Sequence, residues 1–222
     1  MTEGAFASEG HAIGRDFFTR ARARLTLDVP PALADQTVDG VRGDLDLDPS
    51  LWERAGVAAT RPAAVLVGVV DHAEPTVLLT LRNAALEAHA GQIAFPGGKI
   101  EPEDPSPAAA ALREAQEEIG LAPGLVDPIG HLDLYLTFSG FRILPTVARV
   151  DPCHRLTLNR AEVDEAFEVP LAFLMDAQNH ALHSRDWKGV IRRYYAMPFR
   201  ERYIWGVTAG ILRNLYERIY LG

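Results

Sequence analysis

Apolar and polar positions follow two different periods along the chain. Short apolar runs bounded by turn residues predict strands. These strands cover Val65–Val70, Thr76–Arg82, Ile93–Phe95, Ile129–Phe138, Phe141–Arg149 and Arg192–Met197. Apolar residues spaced three and four positions apart predict helices over Pro107–Ile119 and Trp205–Tyr220. Strands and helices that alternate in this way predict an α/β domain built in layers.

The first sixty residues carry a weaker pattern, and we expect a peripheral helix-and-loop extension (1–60) before the main domain (61–222). The predicted helix has apolar positions at Ile13, Phe17, Phe18, Ala21 and Leu25. Four arginines lie between these positions. The simpler interpretation is a surface helix with a solvated basic face. The alternative is an arm that reaches an anionic ligand or partner.

Composition narrows the classes of function. The 222 residues are enough for a sizeable core. The 22 basic and 30 acidic side chains give a net charge of −8, which disfavours a nucleic acid as the main ligand. The single cysteine, Cys153, excludes an intrachain disulfide and fits a reducing compartment. The longest apolar run, Ala63–Val70, is far shorter than the roughly 20 residues of a membrane helix, and the N-terminus lacks a secretory pattern, so we expect a cytoplasmic protein.

The predicted helix Pro107–Ile119 carries an acidic cluster that is unfavourable for the helix alone. Glu114, Glu117 and Glu118 lie on one flank of its apolar stripe. Glu114 and Glu118 are like charges four residues apart, which costs about 0.2–0.5 kcal/mol. Glu117 and Glu118 also occupy the last turn, where the helix dipole favours cations. A solvated acidic face is the simpler interpretation, but a divalent cation would reverse the balance, because carboxylates are hard ligands suited to Mg²⁺ or Mn²⁺.

The residues before the acidic cluster predict a tight loop and a helix start. The turn Pro96–Gly98 is almost free of side chains and permits close backbone approach to a ligand. Asp104 or Ser106 can cap the helix, with a proline at the first helical position. Gly120 is a natural stop.

Together these residues resemble the Nudix box of the Nudix hydrolases. Gly98 is followed by five residues, Asp104, eight residues, and then Arg113–Leu121 (REAQEEIGL). The family pattern is Gly, five residues, Glu, seven residues, and Arg-Glu-aliphatic-x-Glu-Glu-x-Gly-aliphatic. The second half matches at every specified position, whereas Asp104 replaces Glu and one extra residue separates it from Arg113. The resemblance implies the Nudix fold, a mixed β-sheet in an α/β/α sandwich.

A second stretch, Leu78–Gly98, resembles the coenzyme A pyrophosphatase branch of that family. The branch pattern is Leu-Leu-Thr-x-Arg-Ser-x-x-Leu-Arg, a loop with Gly-Gln, and Phe-Pro-Gly-Gly. The matching residues are Leu78, Leu79, Thr80, Arg82, Leu86, Gly91, Gln92, Phe95, Pro96, Gly97 and Gly98. Asn83 stands where Ser is usual and Glu87 where Arg is usual, so a phosphate contact at residue 87 would become a repulsion. The resemblance extends over Arg61–Tyr220.

The resemblance implies hydrolysis of coenzyme A to 3′,5′-ADP and 4′-phosphopantetheine with Mg²⁺ or Mn²⁺. A diphosphate and a carboxylate cluster repel each other, so metal ions must bridge them and lower the pKa of an attacking water. Glu114 and Glu118 are then the first metal ligands, Glu117 is a further ligand or a base, and Arg113 orients a glutamate. Candidate substrate contacts are Arg82, Gly97, Gly98 and Lys99, with Arg142 as a weaker one.

Several assignments stay open. The general base belongs to a later acidic group, unless that group is only a solvated helix face: Glu162, Asp164, Glu165 and Glu168. His89 is a candidate for approaching the substrate. Alternative functions are hydrolysis of ADP-ribose, NADH or another nucleotide, and a non-catalytic nucleotide-binding module. The apolar face of the last predicted helix permits a homodimer or packs into the core.

Overall fold

A nine-stranded sheet forms the centre of the computed structural model, which describes residues 16–35, 42–43, 46–47, 60–86, 89–187 and 189–221. The strands are β1 (Arg42–Gly43), β2 (Arg61–Val70), β3 (Thr76–Arg82), β4 (Ile93–Ala94), β5 (Gly97–Lys99), β6 (Val126–His131), β7 (Tyr135–Leu136), β8 (Phe141–Val150), β9 (Val163–Pro170), β10 (Ala181–Trp187), β11 (Val190–Phe199) and β12 (Arg202–Trp205). The helices are α1 (residues 16–24), α2 (Pro107–Ile119), α3 (Leu171–Leu174) and α4 (Val207–Tyr216). Short 3₁₀ turns cover Pro31–Leu33, Pro123–Leu125 and Ala177–Asn179, and a π-helical turn covers Glu217–Leu221.

Strand β2 lies at the middle of the large sheet. It pairs in parallel with β8 over its whole length, from Arg61 opposite Phe141 to Val70 opposite Val150. It pairs antiparallel with β3 and with β5. Because parallel and antiparallel pairs occur in one sheet, the predicted mixed sheet is confirmed. The last three strands, β10 to β12, form a separate antiparallel sheet.

Helices cover both faces of the large sheet. In β2, Val67 and Val69 belong to the core cluster that includes α1 and α4, whereas Leu66 and Val70 belong to the cluster that includes α2. Successive side chains of a strand point to opposite faces, so these two clusters lie on the two sides of the sheet. A strand buried on both faces needs no polar alternation, which explains the continuous apolar run. The predicted α/β/α sandwich is confirmed.

Most predicted elements agree with the structure, and two need correction. Helix α2 and strand β3 coincide with their predicted ranges. The last helix begins at Val207 and not at Trp205. Trp205 is the last residue of β12 and pairs with Ala196 of β11, and Gly206 then turns the chain with φ 64°. The predicted strand Ile129–Phe138 divides into β6 and β7.

The N-terminal helix is not peripheral, in contrast to the sequence-based expectation. Phe17, Ala21 and Leu25 are buried in the same cluster as α4. Two arginines on its outer side form ion pairs. Arg20 bonds to Asp16 of the same helix at 2.5 Å, and Arg22 bonds to Asp127 of β6 at 2.7 Å. These contacts agree with the solvated basic face. Ile13 lies outside the described residues, and the boundary near residue 60 stays a prediction.

The apolar face of the last helix packs into the core. Ile211, Leu215 and Ile219 are almost fully buried. That face is therefore not available to a second copy of the chain, which corrects the sequence-based argument for a homodimer. No helix in the described parts of the chain is both long and apolar enough to cross a membrane.

Candidate active site

Helix α2 is capped at both ends by the residues that the sequence singles out. Ser106 Oγ accepts a hydrogen bond from the Ala109 N–H at 3.1 Å, and Pro107 occupies the first helical position. Asp104 is therefore not the cap. Gly120 ends the helix in the left-handed region with φ 68°. The caps fix the length of α2 and with it the position of the glutamates in its last two turns.

The three glutamates of α2 differ strongly in exposure. The exposed fraction of the side chain is 5% for Glu118, 16% for Glu114 and 55% for Glu117. This order agrees with the helical geometry, which places Glu118 nearest the apolar stripe. Glu114 and Glu118 therefore form an inward pair, and Glu117 lies toward solvent.

Glu118 is a buried carboxylate at the interface between α2 and the strands. The Gly97 N–H donates to its Oε2 at 3.2 Å, and Arg82 Nη1 lies 4.0 Å from its Oε1. Burial raises the pKa of Glu118 to about 7, although the Gly97 N–H and Arg82 favour the anion. Burial also raises the pKa of Glu114. Both carboxylates lack the compensation that an anion needs away from water.

Arg113 donates hydrogen bonds to three acidic residues of the box. Its guanidinium donates to Asp104 at 3.0 Å through both Nε and Nη2, and Nη1 donates to Glu114 at 3.0 Å and to Glu117 at 3.1 Å. Nη2 also donates to the Lys99 carbonyl at 3.1 Å. These bonds raise the pKa of Arg113 and lower the pKa of Asp104. Arg113 therefore holds carboxylates in place and has little capacity left for a substrate phosphate.

The glycine turn before α2 leaves room for the inward pair. A Cβ on Gly98 would lie 2.6 Å from the Glu114 Cδ, so any other residue here would displace this carboxylate. A Cβ on Gly97 would lie 2.4 Å from the Ala64 carbonyl oxygen. Both glycines belong to β5, which pairs with β2. The main chain thus passes directly over the glutamates without intervening side chains.

Arg82 and Lys99, two of the predicted substrate contacts, differ in burial and in their neighbours. The half-buried side chain of Arg82 extends from the end of β3 toward Glu118, and its buried Nε has no hydrogen-bond partner within the described part of the chain. Lys99 is exposed on β5, and its carbonyl is already bound by Arg113. Arg82 is therefore the cation that the fold brings to Glu118, whereas Arg113 bonds to Glu114.

Arg142 does not belong to the site. It is 3% exposed, and its Nε donates to Thr60 Oγ1 at 2.8 Å while its Nη1 donates to the Ala32 carbonyl. These bonds join β8 to the N-terminal segment. The prediction of a phosphate contact at Arg142 is wrong, because a sequence does not reveal which arginines are buried against backbone carbonyls.

The later acidic residues lie on strand β9 or just before it, not on a helix. Glu165 pairs with Arg202 at 2.6 Å, Glu168 accepts from His72 at 3.0 Å, and Asp164 accepts from the Ala84 N–H at 3.0 Å. Glu162 differs from these three. Its negative charge adds to the rise in pKa that burial causes in Glu114 and in Glu118. Within this group, Glu162 is the residue whose charge acts on the inward pair.

His89 and Cys153 add little to the site. His89 is exposed, has a positive φ of 57°, and its ring Nδ1 lies 2.9 Å from Gln92 Oε1. Cys153 is exposed, and Glu87 lies outside the described residues.

The donor set fits a hard divalent cation, although the side chains are not closed around a point. Glu114 and Glu118 supply carboxylate oxygens next to the glycine turn, and the negative charge of Glu162 acts on both. Glu118 is buried and Glu114 is half-buried, and burial raises the pKa of each. No three acidic, histidine or cysteine side chains of the described residues converge closely enough to enclose an ion as they stand. Glu117 is exposed and accepts from Arg113 Nη1, which also donates to Glu114.

Comparison with known proteins places this site in a family. Residues 59–188 match the NUDIX domain. The chain is 42% identical over 167 residues to a protein of Cronobacter sakazakii named uncharacterized Nudix hydrolase NudL, covering 72% of this chain and 83% of that protein. A protein of the same name from Citrobacter koseri is 40% identical over 159 residues, covering 72% and 83%. An Ap4A hydrolase from C. elegans aligns with a TM-score of 0.42 and 20% identity over 49% of this chain and 80% of that chain.

Proposed function

Because the chain belongs to the Nudix hydrolase family, whose members act on diphosphate bonds, we propose that it hydrolyses the diphosphate of coenzyme A or of an acyl derivative. The products are 3′,5′-ADP and 4′-phosphopantetheine or its acylated form. The observation that carries this proposal is the second signature, Leu78–Gly98, of which Arg82, Gly97 and Gly98 lie beside the inward pair. Its glycines make room for Glu114, and its arginine, Arg82, faces Glu118.

Nudix hydrolases generally use Mg²⁺ or Mn²⁺, and Glu114 and Glu118 are the residues that would hold the ion, with Glu117 as the further predicted ligand. A bound divalent cation supplies charge neutralisation for the diphosphate and lowers the pKa of water. Asp104 and Arg113 keep Glu114 from turning away, since they form a fixed network beside it. The residues of the network therefore act through the glutamates and not on the substrate.

Arg82 is the proposed phosphate contact. Its Nε is desolvated without a partner in the described residues, which is unfavourable unless an anion arrives. A diphosphate oxygen next to the guanidinium would accept a hydrogen bond from it. The diphosphate and Glu118 would then share the positive charge of Arg82. Charge spreads over the phosphoryl oxygens in the transition state, so a fixed cation at this point favours the reaction.

Glu162 is the proposed general base. It is half-buried, it lies outside the box, and its charge acts on both members of the inward pair. A carboxylate that is held near the ligands and is not one of the box glutamates can take the proton of the attacking water. The remaining acidic residues of β9 have other partners.

A substrate panel tests the proposal. Steady-state rates are measured with Mg²⁺ on coenzyme A, ADP-ribose and NADH, and products are separated to detect 3′,5′-ADP. The expected result is the highest kcat/KM for coenzyme A. A strong preference for ADP-ribose would contradict the proposed substrate and would direct attention to Glu87, where the signature carries a negative charge. Binding of nucleotides without any product would support the non-catalytic alternative.

A further inference from the structure

We infer that Asn159 is a positioning residue that holds the Glu162 carboxylate toward the inward pair. The inference rests on the proposed role of Glu162 as the base. Asn159 lies between α2 and β9, outside both signatures. Its side-chain Nδ2 donates a hydrogen bond to Glu162 Oε1 at 2.8 Å. This bond restricts the rotamers of the glutamate, because both residues are partly buried.

The segment that carries Asn159 is anchored on the C-terminal end of α2. The Thr157 N–H donates to the Ile119 carbonyl at 2.8 Å, and the Asn159 N–H donates to the Glu118 carbonyl at 2.9 Å. The last carbonyls of a helix have no partner inside it, so these bonds complete the helix end. A Cβ on Gly120 would lie 2.8 Å from the Thr157 carbonyl oxygen, so glycine is needed for this close approach. The backbone of Asn159 is thus tied to the residue that bears the buried carboxylate.

Asn159 also forms the turn that brings Glu162 back toward α2. Its carbonyl accepts from the Glu162 N–H at 3.0 Å and from the Val163 N–H at 2.9 Å. Its side-chain Oδ1 accepts from the Ala161 N–H at 3.2 Å, which is the pattern of an Asx turn. One amide group therefore has two roles. Its oxygen shapes the turn, and its nitrogen fixes the glutamate.

The electrostatics of the site explain why such a donor is needed. Burial, with the charge of Glu162 as a further contribution, raises the pKa of Glu114 and of Glu118. The charges of Glu114 and Glu118 repel that of Glu162 and favour a Glu162 rotamer turned toward water. A neutral donor opposes this repulsion without competing for a cation, whereas a lysine or arginine at residue 159 would bring a positive charge to the site.

A double-mutant cycle tests the inference, with Asn159→Asp and Glu162→Gln measured singly and together. Aspartate keeps the oxygen that accepts from Ala161 and replaces the donor with an oxygen that repels Glu162. Asn179→Asp is the matched control, because Asn179 Nδ2 donates to the Phe173 carbonyl at 2.9 Å in a turn after α3. The values of kcat and KM are measured at saturating Mg²⁺ on both coenzyme A and ADP-ribose.

The expected result is a loss in kcat with little change in KM. Asn159→Asp lowers kcat by about 10- to 100-fold, because a misplaced reacting group costs up to about 10²-fold. Glu162→Gln lowers kcat by about 10²- to 10⁴-fold. In the Glu162→Gln protein, Asn159→Asp causes no further loss, since the group that it positions is gone. The control keeps the wild-type kcat.

Three results overturn the inference. These are an equal loss from Asn159→Asp in both backgrounds, an unchanged kcat in Asn159→Asp, and a wild-type kcat in Glu162→Gln. If Asn159→Asp is unfolded at the assay temperature, Asn159→Ser replaces it with the same expectations, because its hydroxyl keeps the turn acceptor. A preference for ADP-ribose overturns only the proposed substrate, because the cycle is equally interpretable on either compound.

Discussion

Helices α2 and α4 cover opposite faces of one sheet but arrange their charges in opposite ways. At the C-terminal end of α4, Arg213 Nε bonds to Glu217 Oε1 at 2.7 Å, four residues further along the chain. Arg42 Nη1 bonds to the same carboxylate at 2.6 Å. At the end of α2, residues four apart are Glu114 and Glu118, which have the same charge and are more deeply buried. One helix end is neutralised within the protein, and the other leaves an excess of negative charge.

The difference separates charges that stabilise the fold from charges that destabilise it when no metal is bound. Burial works against the anion of Glu217, yet Arg213 and Arg42 lower its pKa, so the folded protein favours the charged form. Burial raises the pKa of Glu118 to about 7, so the folded protein without metal disfavours its charged form. The same type of side chain, a glutamate, therefore stabilises the protein at one helix end and destabilises it at the other. The metal ion that we propose for the site would balance the second.

Glu118→Gln is the substitution with the largest expected effect on activity. The amide keeps the shape of the side chain but is a poor ligand for a hard cation. We expect kcat to fall by two or more orders of magnitude, since charge stabilisation by a bound metal contributes several kcal/mol at about 1.4 kcal/mol per tenfold in rate. The measurement is steady-state turnover at saturating Mg²⁺, with Glu103→Gln, an exposed glutamate of the preceding loop, as the control.

The stability of Glu118→Gln should move in the other direction. A carboxylate with a raised pKa in the folded state supports folding below its unfolded pKa of about 4.3, and this support is lost as the pH rises through about 7. In EDTA, Glu118→Gln should therefore match the wild type near pH 4 and be as stable or more stable at pH 8. A fall in Tm of many degrees at pH 8 with intact activity would show that Glu118 is a structural residue.

Gly98→Ala tests the space beside the inward pair. Its Cβ would lie 2.6 Å from Glu114 Cδ, so the carboxylate must move. We expect kcat to fall about 10- to 100-fold, because a shift of about 1 Å in a catalytic group costs that much. Gly124→Ala is the matched control, since its Cβ would meet nothing within 4 Å. Equal activity in the two variants would mean that the position of Glu114 is not important for turnover.

Glu217→Gln repeats the same chemical change at the neutralised helix end, and its expected effect is the smallest. Loss of the partly buried pairs should lower stability by about 0.5–1 kcal/mol and Tm by about 2–4 °C. Because its pKa is lowered in the folded state, the difference from the wild type should be present at pH 7 and lost as the pH falls below about 4. Thermal unfolding at both pH values measures this, and kcat should stay at the wild-type value.

The local elements of the site were accessible to prediction because their determinants are close together in the chain. Helix α2 depends on its apolar stripe and its caps, and both lie within fifteen residues of each other. The same periodicity predicts that Glu118 faces inward and Glu117 outward, as the structure confirms. Patterns of this kind need no knowledge of the remaining fold.

The partners of the arginines and of the later glutamates could not be predicted in this way. Arg82 and Arg142 both lie in strands with apolar neighbours, but one reaches Glu118 and the other is bound by Thr60 and a backbone carbonyl. Glu162 and Glu165 lie three residues apart, yet only the second is neutralised by Arg202. Nothing local distinguishes the members of these pairs.

The amino-acid sequence alone settles the layered class, the ends of α2, the order of burial of its glutamates, and the chemistry that they offer. The three-dimensional fold settles which distant groups act on them: Arg82 from β3, the glycine turn of β5, and the charge of Glu162. The physical reason is the distance along the chain over which each effect acts. Helix periodicity and capping act over a few residues, whereas desolvation and charge pairing depend on neighbours that chain folding brings from far along the sequence.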